Sequence, residues 1–261
     1  MKLTKLGTPQ NPLIIAHRGY SQIAPENTMA AFEAAANAKV DMIECDIRLS
    51  KDNKFVIIHD EKLNRTTNGD GKIYSKLFSE IRSLKNGEWF SNKFKNEKIV
   101  PLEKLIKWLP QSIILNIELK SNVESSSLKT AENKLVDIIL KFNLVDRVIV
   151  TSFNHHKMKL LKDLSPHITT GIIFNPITNF RHSPSQLCKK YNADIFICNK
   201  HQLQSEVVEN AHKNNFLVYV YSIKTEADVS RAWKFKVDGI IADDPLFVKQ
   251  VLQKINILSL I

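Results

Sequence analysis

The chain of 261 residues is 43% apolar and 25% charged, a globular balance that excludes a disordered or fibrous protein. Its 37 Lys and Arg against 27 Asp and Glu give a net charge of +10, which suits an anionic partner such as a phosphate ester, nucleic acid or an acidic membrane face. The lysines are dispersed, with no basic run to mark a nucleic-acid tail. No stretch reaches the ~18 apolar residues of a membrane span.

The opening MKLTKLGTPQNP lacks the apolar segment of a signal peptide, which predicts a cytoplasmic protein. A first strand near 13–17 (LIIAH) runs straight into His17 and Arg18. Glu26-Asn27-Thr28 leads into a helix over 28–38, with Asn27-Thr28 as its cap and Glu26 as a cap neighbour or a ligand. Two strands follow, near 42–48 (MIECDIR) and 55–59 (FVIIH). Only LSKDNK separates them, too little for a parallel crossover, so they form a hairpin. A turn centred on Asp52-Asn53 sets His59 opposite Asp46.

Residues 60–110 are the compositional outlier. They are polar, carry the turn signal Asn68-Gly69-Asp70-Gly71, and hold Trp89, Phe90 and short helical patterns at 75–85 and 102–109. Further strands fall near 112–118, 147–151, 169–174, 194–198, 216–222 and 238–242. Helical patterns at 127–142, 155–164, 185–190, 203–214, 225–234 and 246–256 alternate with them. Near-continuous apolar strands separated by helices predict a parallel sheet covered by helices. Removing the hairpin's return strand from nine leaves eight, an α/β fold of the (β/α)8 TIM barrel type. The expected organisation is one domain over 1–261, with 60–110 inserted after the hairpin. Asp243-Asp244-Pro245 reads as a helix start with Pro in the first turn. Cys45, Cys188 and Cys198 have no metal-ligand spacing and read as reduced core thiols.

Alternate strand residues share a face. Glu44 and Asp46 therefore enter the barrel while Ile43, Cys45 and Ile47 meet the outer helices. In LNIELK, residues Asn116, Glu118 and Lys120 share a face. Three carboxylates converging in a partly buried place repel one another. Oxygen ligands alone imply a hard cation, Mg²⁺ or Ca²⁺; the alternative is that each acid pairs with a base such as Arg48 or Lys120. His17 and His59 end their strands at the same rim. Two histidines beside such a cluster suit general acid and general base in phosphoryl transfer, and Arg18 and Lys120 supply positive charge for phosphate oxygens.

The series AHRG…PENT, IECDIRLSKDN, VIIHDEKLNRTTNG, NIELK and VDGIIADDP resembles the motifs of the glycerophosphodiester phosphodiesterase family, from Ile14 to about Pro245. The resemblance implies a (β/α)8 barrel with a small insertion after the second histidine motif. It also implies metal-dependent cleavage of glycerophosphodiesters, such as glycerophosphocholine or glycerophosphoethanolamine, to glycerol 3-phosphate and an alcohol. By that resemblance His17 and His59 are the acid/base pair, Glu44, Asp46 and Glu118 bind one divalent cation, Arg18 binds phosphate and Lys120 faces substrate. The glycerol 2-hydroxyl would serve as internal nucleophile, forming a cyclic phosphate that water opens. One departure stands out: the family's Trp-Thr-Val-Asn pattern is replaced by Tyr221-Ser222-Ile223-Lys224, which leaves Tyr221 as the aromatic at the substrate end. The expected partner is a small-molecule glycerophosphodiester rather than nucleic acid, with the chain a monomer or homodimer. Two other readings are a lysophospholipase D, with an apolar groove from Trp89, Phe90 and Phe94, and a catalytically idle binder of phosphate ligands.

Overall fold

The computed structural model describes residues 6–120 and 128–258. Ten strands follow one another along the chain: β1 (Leu13–Ala16), β2 (Met42–Leu49), β3 (Phe55–Ile57), β4 (Val100–Pro101), β5 (Ile114–Leu119), β6 (Val148–Ser152), β7 (Thr169–Ile173), β8 (Ile195–Asn199), β9 (Leu217–Ile223) and β10 (Gly239–Ala242). Eight of them pair in parallel in the order β1-β10-β9-β8-β7-β6-β5-β2, and β1 pairs with β2 to close the ring. Helices lie between successive barrel strands, as the alternating sequence pattern requires. The result is the predicted (β/α)8 TIM barrel. Three elements went unread: the two-residue β4, which pairs with β3, a 3-10 turn at Asn92–Phe94 and a helical turn at Pro176–Asn179. In the polar region the expected helix over 75–85 shrinks to Phe78–Ile81, preceded by a 3-10 turn at Ile73–Ser75.

Alternation divides the apolar residues into two cores. Ile43, Cys45, Ile47, Ile117 and Leu119 face outward into the layer shared with the helices. Inside the barrel, Leu13, Ile15, Met42, Ile149, Ile195 and Tyr219 pack together with Leu6. The Tyr219 hydroxyl donates to the Leu6 carbonyl at 2.8 Å, so Leu6 plugs the lower end, where the strands begin. Gly7 is required there: its φ is +92° and a Cβ would lie 1.9 Å from the Asp238 carbonyl oxygen. A third cluster, Val56, Ile58, Leu63, Ile73, Ile81 and Ile99, holds the polar region together against the hairpin.

The hairpin register differs from the expected one. Ile47 faces Ile57 and Arg48 faces Val56, and the Ile58 amide donates to the Asp46 carbonyl at 2.9 Å. Ile58, not His59, is therefore opposite Asp46. The cause is Asn53, whose φ of +58° makes a three-residue loop: a turn closed by a left-handed residue, with Ser50 and Lys54 bonded across it. A two-residue turn would have set His59 opposite Asp46.

Candidate active site

The C-terminal ends of the strands surround a cavity of about 600 Å³ of open space. Active sites of this barrel form sit at that end. His17, Arg18, Glu44, His59, Glu118, Lys120 and Tyr221 all line it, joined by Asn116, Thr151, Phe153, Ser222 and three isoleucines. Asp46 lies just beneath, 1% exposed.

The acids reach the rim by simple register. Glu44 pairs with Asn116 and Asp46 with Glu118 across the β2–β5 ladder, so all four side chains point inward side by side. Glu44, Asp46 and Glu118 each offer an oxygen within 4.8 Å of the others. Burial, reinforced by the Asp46 charge, pushes the Glu44 carboxyl up to about 8; Glu118 is also raised, chiefly by burial. Asp46 moves the other way. Burial opposes its ionisation, but Lys120 and Arg18 outweigh that and hold it below the ordinary range. A buried set of oxygen donors that would be left partly protonated fits a hard divalent cation, whose charge would restore the ionised forms. In the structure Lys120 bridges two of the three, 2.9 Å from Asp46 and 2.5 Å from Glu118. The pairing of acids with a base is thus realised for Lys120. Arg48 donates its Nε to the His59 carbonyl at 2.8 Å.

Arg18 is held in a left-handed conformation, φ +56°, which is strained for a long side chain. Its amide donates to Glu44 at 2.7 Å and its carbonyl accepts the Asn27 amide at 2.9 Å. The next residue must be glycine: a Cβ on Gly19 would meet the Ala31 backbone at 2.7 Å. The turn thereby packs directly on the helix Met29–Asn37, where Thr28 is the cap and accepts the Ala31 amide at 3.3 Å. Arg18 also donates to Glu26 at 2.8 Å and has Nε 3.2 Å from Asp46. Glu26 therefore binds arginines and is no member of the three-acid cluster.

The two histidines share one arrangement and differ in environment. His17 has Nδ1 2.6 Å from Asp243, and His59 has Nδ1 2.6 Å from Asp60. Each carboxylate orients its ring and leaves Nε2 for the cavity. Burial pulls His17 down, but the bond to Asp243 and the Glu44 charge raise it above its ordinary value. Burial dominates at His59, helped by the nearby Lys120 and Arg18 charges, and lowers it.

Four residues escaped the sequence reading. Asp243 was read as a helix start; that task falls to Asp244, whose carboxylate accepts the Phe247 amide at 3.0 Å ahead of the helix Pro245–Leu258. Asp243 shares the inward face of Ile241, a signal present in the strand period. Asn27, read as part of the cap, exchanges two bonds with Asp46, at 2.8 and 3.2 Å. Asp60 adjoins His59 and could have been suspected on that ground. Arg65, which binds Glu26 and Asp60, left no periodic signal. Trp89, Phe90 and Phe94 are not among the cavity's lining residues; they stack edge to face on one another. Around Tyr221 the β9–β10 register shifts, Tyr221 facing Ile241 and Ile223 facing Ala242. Ser222 is the bulged residue, and it enters the cavity beside Tyr221.

Known proteins resemble the chain in sequence and in fold. Residues 17–246 match the Glycerophosphoryl diester phosphodiesterase family. A glycerophosphodiester phosphodiesterase of Caldanaerobacter subterraneus subsp. tengcongensis is 35% identical over 93% of this chain and 98% of its own length. One from Bacillus altitudinis is 33% identical over 89% of this chain and 94% of its own. Among solved structures, a phosphodiesterase of Oleispira antarctica in complex with the product sn-glycerol-3-phosphate superposes with a TM-score of 0.85 at 26% identity, covering 93% of this chain and 97% of that one. A glycerophosphodiester phosphodiesterase of Agrobacterium tumefaciens gives 0.79 at 29% identity over 91% and 99%. The chain belongs to the glycerophosphoryl diester phosphodiesterase family and is a phosphoric diester hydrolase.

Proposed function

We propose that the enzyme cleaves small glycerophosphodiesters, such as glycerophosphocholine or glycerophosphoethanolamine, to glycerol 3-phosphate and an alcohol, using one divalent cation, Mg²⁺ or Ca²⁺. The observation that carries this reading is the clustering of Glu44, Asp46 and Glu118 within 4.8 Å beside a cavity lined by both histidines. Those three acids would hold the cation, which when bound neutralises phosphate charge and orients the glycerol oxygens.

The protein's own groups do the rest. Arg18 and Lys120 face the phosphate; the arginine is already fixed by Glu26 and by its own strained backbone. One histidine Nε2 takes the proton of the attacking glycerol 2-hydroxyl, and the other delivers a proton to the leaving alcohol oxygen. Water then opens the cyclic phosphate by the reverse exchange. A nucleophile tethered to the phosphorus needs only positioning, so this reading calls on no serine or cysteine as attacking group. Burial and the Glu118 charge hold the Tyr221 hydroxyl protonated, pushed up to about 12, so it serves as a donor at the substrate end. A cytoplasmic location belongs to the same reading. It accords with three buried free thiols and with the finding that, among the described residues, no helix is long and apolar enough to cross a membrane.

A panel of glycerophosphodiesters, with released glycerol 3-phosphate measured in Mg²⁺, Ca²⁺ or chelator, tests the reading. No product from any member would overturn it, and full rates in excess chelator would remove the cation from it. A lysophospholipase D activity is the second reading. It is favoured by an apolar wall of Phe153, Ile173, Ile197 and Ile241, with Phe153 45% exposed at the mouth. Parallel assays on glycerophosphocholine and lysophosphatidylcholine separate the two.

A further inference from the structure

Arg18 and His59 reach the cavity from different parts of the chain, the loop after β1 and the end of the hairpin. One guanidinium connects them. Arg65 donates Nη1 to Glu26 Oε2 at 2.9 Å and Nη2 to Glu26 Oε1 at 2.7 Å, a two-pronged grip. It also donates Nε to Asp60 Oδ2 at 2.5 Å and Nη2 to Asp60 Oδ1 at 3.1 Å. Glu26 in turn binds Arg18 at 2.8 Å, and Asp60 binds His59 at 2.6 Å. Charges alternate along Arg18, Glu26, Arg65 and Asp60, and the row ends at the His59 ring, which Asp60 holds through Nδ1. Arg65 itself is absent from the cavity lining.

Exposed ion pairs usually contribute little, because water screens them and their long side chains lose freedom; bidentate networks with shielded partners are the exception. The exception applies here. The Glu26 side chain is 13% exposed although that of Arg65 is 44% exposed. The Arg65 forks hold the Asp60 carboxyl down to about 2. The loop bearing Arg65 is also anchored. The Leu63 amide donates to Gly71 at 3.0 Å, Thr67 Oγ1 donates to the Leu63 carbonyl at 2.7 Å, and Leu63 is fully buried among Ile58, Ile73 and Ile81.

We propose that Arg65 is a positioning residue that ties Arg18 to His59, so that the segment after the hairpin sets the geometry of the reaction centre without touching substrate. The proposal rests on the phosphodiesterase reading above, and its test includes a readout that needs no turnover. Arg65→Ala lowers kcat by about 10- to 100-fold, the scale of a misplacement near 1 Å, at a temperature where circular dichroism shows the variant fully folded. Arg65→Lys keeps the charge but not the fork and recovers part of the loss. Added guanidinium ion restores part of the rate to Arg65→Ala and none to His59→Ala. Combining Arg65→Ala with Asp60→Asn costs little more than the worse single change, as expected for one network. In ¹H–¹⁵N spectra the His59 Nδ1 proton, held by Asp60, shifts or exchanges faster in Arg65→Ala.

A kcat within twofold of wild type, or a His59 signal unmoved by Arg65→Ala, would overturn the proposal. So would a rate loss that follows the unfolded fraction alone and recovers with neither lysine nor guanidinium. A wild-type protein inactive on every diester defeats the phosphodiesterase reading instead, and the His59 signal then still decides the role of Arg65.

Discussion

The two ends of the barrel are built from the same inward faces yet have opposite characters. On β2, Met42 joins the apolar plug, and Glu44 and Asp46, two and four residues on, enter the cavity cluster. On β9, Tyr219 closes the plug and Tyr221 lines the cavity. A step of two residues along a strand thus exchanges packing for chemistry. The lower end is stabilised by apolar burial; the upper end gathers like charges at a cost to stability, which only a counter-charge offsets.

The first way to test that contrast is to withdraw the counter-charge. Chelation is expected to abolish turnover, and restoring Mg²⁺ or Ca²⁺ to recover it with a rise in Tm, since an ion that binds only the folded state stabilises it. A Tm indifferent to both ions would leave the acids without the proposed cation. Next come the proposed proton carriers. His17→Ala and His59→Ala should each lower kcat by about 10²–10⁴-fold with far-UV circular dichroism unchanged; near wild-type rates in either would remove it from the acid/base pair.

At the opposite end the expected effects reverse. Ile149→Ala should cost about 2–5 kcal/mol of stability and Tyr219→Phe about 1 kcal/mol, both with kcat retained, as followed by urea unfolding beside the activity assay. Glu44→Gln sharpens the comparison. Above about pH 8, where the cation-free Glu44 ionises, it relieves repulsion with Asp46, so the cation-free protein should there unfold at a higher temperature than wild type while losing activity. A lower Tm would mean that the bond from the Arg18 amide outweighs the repulsion. The smallest effect concerns pH. Because the folded His17 value lies above its ordinary 6.5, its contribution to stability is full below that value and fades as pH rises through the folded one. The destabilisation caused by Asp243→Asn should therefore be larger near pH 5 than near pH 8, on the order of the ordinary histidine range; a difference independent of pH would contradict the pairing.

Much of this was legible before any coordinates. Strand period alone turned Glu44, Asp46 and Glu118 inward and Cys45 outward, because a strand has only two faces. The short link between β2 and β3 demanded a hairpin. Its register differs by one residue, because Asn53, of a type that tolerates the left-handed region, takes that conformation and adds a residue to the loop. Asp243 followed the period of β10 but was masked by a plausible helix start, and both aspartates turned out to have separate tasks. The aromatic trio at 89–94 had the composition of a groove, but its rings are spent on one another.

Sequence by itself determined the elements, their inward and outward faces and the chemical inventory, since those follow from local sterics and the alternation of apolar with polar residues. Tertiary structure alone decided the partnerships: Asp243 with His17 across 226 residues, Asn27 with Asp46, and Arg65 between Glu26 and Asp60. Those contacts depend on where ring closure brings distant loops and on the loop conformations that aim their side chains, neither of which a local pattern encodes.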